Sequence, residues 1–256
     1  AKLALSLSEN SLVFENQFEL AYDYYLEGAI DKALKRFLEI NSKLSGQTLE
    51  DKELPGETLN SIAMCYRELG QYSAASEYYE QAFRKFSSHG NQLKSVAVMN
   101  SLACLYLDSG KLDLYQKKFA ELENAMKDLG KEQKDSLEFK RLAGYVYFNH
   151  AQFLNRFEDS YSKALDEFKI ALQDFEDVSD RKGQIRALNG LGLTSLNLAG
   201  VANRADKQVN DDKAMQLASN ALSYFKKAQP LAVDSGIIDL QWECSYGLGA
   251  ANQILN

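Results

Sequence analysis

Residues 62–82 read IAMCYRELGQYSAASEYYEQA, and stretches on either side repeat their plan. An apolar residue and an alanine are followed by an aromatic three positions after the alanine and a glycine four further on: Ile62-Ala63-Tyr66-Gly70, Leu20-Ala21-Tyr24-Gly28 and Leu102-Ala103-Tyr106-Gly110. A second half-motif starts five residues after each glycine, with a small residue, an aromatic at plus four and an apolar residue at plus seven. Its copies are Ala75-Tyr79-Ala82, Ala33-Phe37-Ile40 and the weaker Tyr115-Phe119-Leu122, followed later by Ala164-Phe168-Ala171 and Ala221-Phe225-Ala228. Spacings of three, four and seven put these residues on one helical stripe, so each half-motif is an amphipathic helix and the glycine marks the turn between two of them. A small residue on one helix lets the neighbouring backbone approach, and the partner's aromatic fills the adjoining hollow. One such hairpin cannot bury both faces, so the hairpins stack.

In these residues the chain resembles the tetratricopeptide-repeat family, over about residues 14–256. The resemblance implies an all-α, right-handed superhelical α-solenoid of about five antiparallel helix pairs plus a C-terminal capping helix. The expected organisation is a single repeat domain with repeats near 14–54, 55–92, 93–131, 132–180 and 181–235 and a cap over 236–256. The usual unit of the family is about 34 residues, whereas the second half-motif here recurs after 42, 40, 49 and 57. The longer spacing is similar to the long-helix arrays of kinesin light chain and of mitotic or polarity adaptors. The first helix of the fourth unit, near Leu142 to Asn155, lacks the glycine turn, and Arg156 to Ser160 reads as an altered connection. The fifth unit carries an insertion from Leu198 to Asp212, expected as a projecting helical hairpin. The last segment, Ile237 to Leu255 with Trp242, Tyr246 and Leu248, reads as an eleventh helix covering the end of the stack.

The family's first helices line a concave surface, which the resemblance implies here. On that surface Asn60, Asn100 and Asn189 each stand two residues before the Ile or Leu of the motif, and Asn149 falls where a fourth would be. A ladder of amides can pair with the N–H and C=O groups of an extended peptide. The same recurrence also fits a helix face that simply favours polar residues. One and two turns along lie Met64 and Arg67, Cys104 and Leu107, Phe153 and Arg156, and Leu193 and Leu196, expected to meet the peptide's side chains. The two arginines fit a ligand with an acidic or phosphorylated residue. Phe18 and Tyr22 stand where chaperone-binding arrays of the family place the Lys and Asn that grip a terminal carboxylate, so a chaperone-tail clamp is not expected.

Net charge of −7 and a pI near 5.1, with no Lys/Arg-rich run, argue against a nucleic-acid partner. No apolar run near Ala1 to Val13 is long enough for a signal or membrane segment, and the missing initiator Met fits an excised fragment. Cys65, Cys104 and Cys244 lack the paired spacing of a metal site or disulfide framework, which fits free thiols in a reducing cytoplasm. His89 and His150 lie on different repeats, His89 beside Gly90 as a helix cap and His150 as a groove or core residue. Asn189-Gly190-Leu191-Gly192 lacks the strand and third glycine of a nucleotide fingerprint and reads as close helix packing. No nucleophile–base pair or phosphate loop can be assembled. The sequence therefore points to a non-enzymatic scaffold that binds another protein or peptide, with no metal, cofactor or small-molecule substrate. Alternatives are a peptide-sensing regulator whose output domain is absent, as in bacterial pheromone receptors with similar repeats, or a structural subunit using its convex face.

Overall fold

The computed structural model describes the backbone of residues 2–44, 52–156, 160–205 and 211–255, and the side chains of 12–44, 52–156, 160–202 and 212–255. Among these residues there are helices and turns and no strand. The chain forms two compact units, Ala1–Leu129 and Gly130–Asn256. The first contains α1 (Lys2–Leu26), α2 (Ile30–Leu44), α3 (Leu54–Glu68), α4 (Tyr72–Ser88), α5 (Gln92–Asp108) and α6 (Leu112–Asp128). The second contains the one-turn α7 (Lys131–Lys134), then α8 (Leu137–Leu154), α9 (Tyr161–Asp177), α10 (Arg181–Ala205), α11 (Asp211–Ser235) and α12 (Ile238–Leu255). In each unit every helix packs on the next, so α1/α2, α3/α4, α5/α6, α8/α9 and α10/α11 are five antiparallel hairpins and α12 closes the second stack. The extra turn at α7 is why the closing helix is the twelfth and not the eleventh.

The turn glycines behave as the motif requires. Gly28, Gly70 and Gly110 have φ of +78°, +71° and +71°, a left-handed conformation that lets the chain reverse within two residues. After Gly70, the N–H of Gln71 bonds back to the carbonyl of Tyr66, and α4 begins at once. α9 ends without a glycine: Ser179 takes the same conformation at φ +55°.

All fifteen residues of the second half-motif are buried. The first half-motif is buried only where another helix covers it. Ile62 is fully buried in a cluster with Phe37 and Ile40 of α2, while Leu20 on α1, the same motif position, is 46% exposed.

The two units meet the small-against-aromatic rule differently. In the first, Ala63 clusters with Tyr79 and Phe86, Gly56 sets α3 onto the ring of Phe86, and charge ties the first helices together: Lys94 of α5 pairs with Glu53 and Glu57 at the start of α3, and Asn91 caps α5 while bonding Glu53 at 2.6 Å. In the second, glycines bring the backbones onto the rings. A Cβ on Gly144 or Gly183 would meet the ring of Phe175, one on Gly190 that of Phe168, and one on Gly192 or Gly247 that of Phe225, all within 3.0 Å.

The stretch expected as a projecting hairpin continues both helices of one pair, α10 and α11, which run 25 residues each. Ala199, Ala214 and Ala218 are fully buried in it, and its tip, 206–210, lies outside the described residues. So does most of the altered connection, 157–159. No described helix is long and apolar enough to cross a membrane.

Candidate functional site

The first helices α8 and α12 flank α10, and together they enclose a cavity of about 540 Å³. α8 contributes Phe148, Asn149 and Gln152; α10 contributes Arg186, Asn189 and Leu193; α12 contributes Trp242, Glu243 and Tyr246. The floor is aromatic, with Phe148 standing edge-on to Phe168 at 5.6 Å. One wall is a stacked pair, Trp242 and Tyr246, with centroids 5.5 Å apart and planes 14° from parallel. Both rings are mostly exposed, so the wall is a flat apolar surface facing water.

The polar groups divide into those already engaged and those offered. Asn189 is only 2% exposed; its Nδ2 donates to Glu243 Oε2 at 3.1 Å and its Oδ1 accepts from Cys244 Sγ at 3.1 Å. Its amide therefore locks α12 onto α10 and fixes the Glu243 carboxylate at the rim. Arg186, half-buried, makes no ion pair among the described residues. A guanidinium in that setting is a ready partner for a ligand carboxylate or carbonyl.

Of the sequence-expected residues, the structure brings Asn149, Asn189 and Leu193 together in this cavity. Phe153 is buried against the His150 ring, with centroids 6.0 Å apart, and Arg156 is exposed beyond the end of α8. In the first unit, Asn60 donates to Met64 Sδ at 3.5 Å, and its buried Oδ1 accepts no hydrogen bond among the described residues. Arg67 Nε donates to Asp108 Oδ2 at 2.5 Å across α3 and α5. Burial opposes the Arg67 charge, but the Asp108 hydrogen bond together with the charge interactions of Cys104, Asp108 and Tyr79 more than offsets it and raises the pKa. Cys104 and Leu107 are buried, Cys104 Sγ lying 4.0 Å from Asn100 Oδ1.

Arg186, Trp242, Glu243 and Tyr246 escape a reading based on the asparagine positions. Arg186 stands three residues before Asn189, on the adjoining turn of the same face, and the aromatic pair sits at helical spacing on the closing helix.

Both histidines are engaged within the fold. His150 is a core residue: its Nδ1 lies 2.6 Å from Glu167 Oε2 inside the α8/α9 hairpin, away from the cavity lining. His89 caps α4, its Nδ1 2.8 Å from the Lys85 carbonyl. Burial pushes the thiols of Cys65 to about 12 and Cys104 to about 11, and all three cysteines are free. Among the described residues no group of three His, Cys, Asp or Glu side chains is placed to hold a metal ion.

No protein-family model matches the sequence, and no curated protein does. Solved structures do match. A thermophilic TPR protein from Thermus thermophilus superposes with a TM-score of 0.55 at 16% identity, over 92% of this chain and 98% of that one. The chain has the tetratricopeptide-repeat fold. The apo form of RapI matches at 0.54 and 17% identity over 94% of this chain and 98% of the other. The Rap conjugation gene regulator of plasmid pLS20, solved with the Phr* peptide, matches at 0.51 and 15% identity over 96% of this chain and 76% of the other.

Proposed function

We propose that the chain is a non-enzymatic interaction scaffold that holds an extended segment of a partner protein in the groove across α8, α10 and α12. The observation that carries the reading is the lining of the 540 Å³ cavity: amides, one guanidinium, one carboxylate and a flat aromatic wall. These groups hold a ligand and transfer nothing. Asn149 and Gln152 are placed to bond a peptide backbone, Arg186 to take an acidic side chain or carbonyl, and Trp242 with Tyr246 to cover an apolar one. A 540 Å³ cavity accommodates a few residues of extended chain, within the range of small-ligand sites. The pLS20 Rap regulator was solved with a peptide, so at least one protein of this fold accommodates one.

The test is selection of random peptides displayed on phage against the purified chain, followed by titration of the enriched peptides against Trp242→Ala and Asn149→Ala. The proposal predicts enriched peptides that lose about tenfold or more in affinity for each variant, the scale of a lost hot-spot contact. Enriched peptides that bind both variants as tightly as the wild type would place recognition elsewhere.

A further inference from the structure

Helices α10 and α12 occupy one packing register, 57 residues apart, and differ in what covers them. Towards the preceding helix they are alike. Gly190 lies under the ring of Phe168, and Gly247, 57 residues on, lies under the ring of Phe225. Ala187 and Cys244 are both fully buried. On the other side they diverge. Ile185, packed against Ala228 and Ala232 of α11, is fully buried, but its counterpart Trp242 is 66% exposed; Asn189, bonded by Glu243 and Cys244 of α12, is 2% exposed, and its counterpart Tyr246 is 60% exposed. A Cβ on Gly192 would lie 2.5 Å from the ring of Phe225 on its own hairpin partner, whereas a Cβ on Gly249 would meet nothing within 4 Å. With Ile238, 78% exposed, these positions form a stripe at spacings of four, four and three on α12.

We propose that this stripe seats a basic amphipathic helix of a partner protein, docked as the second helix of a hairpin whose first helix is α12. The register specifies its pattern: a small residue, an aromatic at plus four that enters the hollow at Gly249, and a small or apolar residue at plus seven, as in Ala164-Phe168-Ala171 and Ala221-Phe225-Ala228. Charge specifies the sign. The charged residues of α12 are Asp239 and Glu243, each next to the stripe, and the helix carries no Lys or Arg. Basic residues flanking the partner's aromatic therefore complement it, while a second copy of this chain, at net charge −7, is disfavoured. The surface goes beyond the groove, although Trp242 and Tyr246 belong to both, and its recognition element is a helix instead of an extended strand.

The probe is a synthetic peptide with the sequence of α2, residues 30–44, which carries Ala33, Phe37 and Ile40 and four basic against two acidic residues. Trp242 is the chain's only tryptophan, so its emission reports the stripe directly. Titrating the peptide into the intact chain is expected to shift Trp242 emission to the blue and to saturate. The shift weakens at least about thirtyfold in affinity with the Phe37→Ala peptide, as for an anchor side chain, and is lost in a Gly249→Leu chain, whose new side chain fills the hollow. Asn149→Ala, a groove variant, leaves it unchanged, so failure of the groove reading and failure of this one are distinguishable. Three results would overturn it: no shift, a shift that Gly249→Leu leaves intact, or self-association of the chain in sedimentation that shields Trp242 without peptide.

Discussion

Arg67 in the first unit and Arg186 in the second stand on the same kind of helix face, and only one is available. Arg67 is bound to Asp108 at 2.5 Å, and Lys94 of α5 is held by two carboxylates, so the first unit uses its charge to tie first helices together. The second unit sets five glycines against Phe168, Phe175 and Phe225 and ties α10 to α12 through the Asn189 amide and Glu243, while Arg186 faces a cavity with no ion pair among the described residues. The packing of each unit thus decides whether the arginine on this face is already paired.

The largest effect that would break this contrast is at Phe225, whose ring lies on both Gly192 and Gly247 and so joins α10, α11 and α12. Phe225→Ala is expected to cost about 3–5 kcal/mol in chemical denaturation, the range for emptying a buried aromatic site. Next comes the glycine itself. Gly190→Ala sets a Cβ 2.5 Å from the Phe168 ring and is expected to cost about 1–3 kcal/mol despite its better helix propensity, as overpacking does. Ala63→Gly in the first unit removes a methyl and costs about 1 kcal/mol or less in helix propensity alone, with its packing loss added.

The hairpins were legible because the motif states its own geometry: Gly28, Gly70 and Gly110 are left-handed turns, and Phe37, Tyr79 and Phe225 are buried as their spacing requires. The lining of the second unit's cavity was legible only in part. Asn149 and Asn189 do reach it, but no spacing reveals that Asn189 is consumed by Glu243 and Cys244, partners more than fifty residues away. Trp242 and Tyr246 read as covering residues of a closing helix, because their exposure depends on what packs, or fails to pack, against α12.

A smaller effect separates the units by pH. Asp174 on α9 is raised to about 6, chiefly by burial and then by the charge of Asp177. Its carboxyl ordinarily titrates near 3.8, so the folded state holds its proton more tightly, and this group costs stability progressively as pH rises from about 4 to 6, with no further change above. Asp174→Asn is expected to raise the melting temperature at neutral pH and to flatten that segment of the profile; an unchanged profile would show that Asp174 titrates normally. Smallest of all, Ser179→Gly relieves a left-handed residue at φ +55° and is expected to stabilise by up to about 1 kcal/mol, read as a shift in the denaturation midpoint.

The central claim, that the groove of the second unit and not the tied face of the first receives the partner, is tested most directly by calorimetric dissociation constants. A display-selected peptide would be titrated into the wild type, Asn149→Ala/Arg186→Ala and Arg67→Ala, after circular dichroism shows all three equally helical. The account predicts a loss of about 100-fold for the double variant, as for one neutral and one charged hydrogen bond removed, with Arg67→Ala within about twofold of wild type. An unaffected double variant, or an equal loss at Arg67, would contradict it.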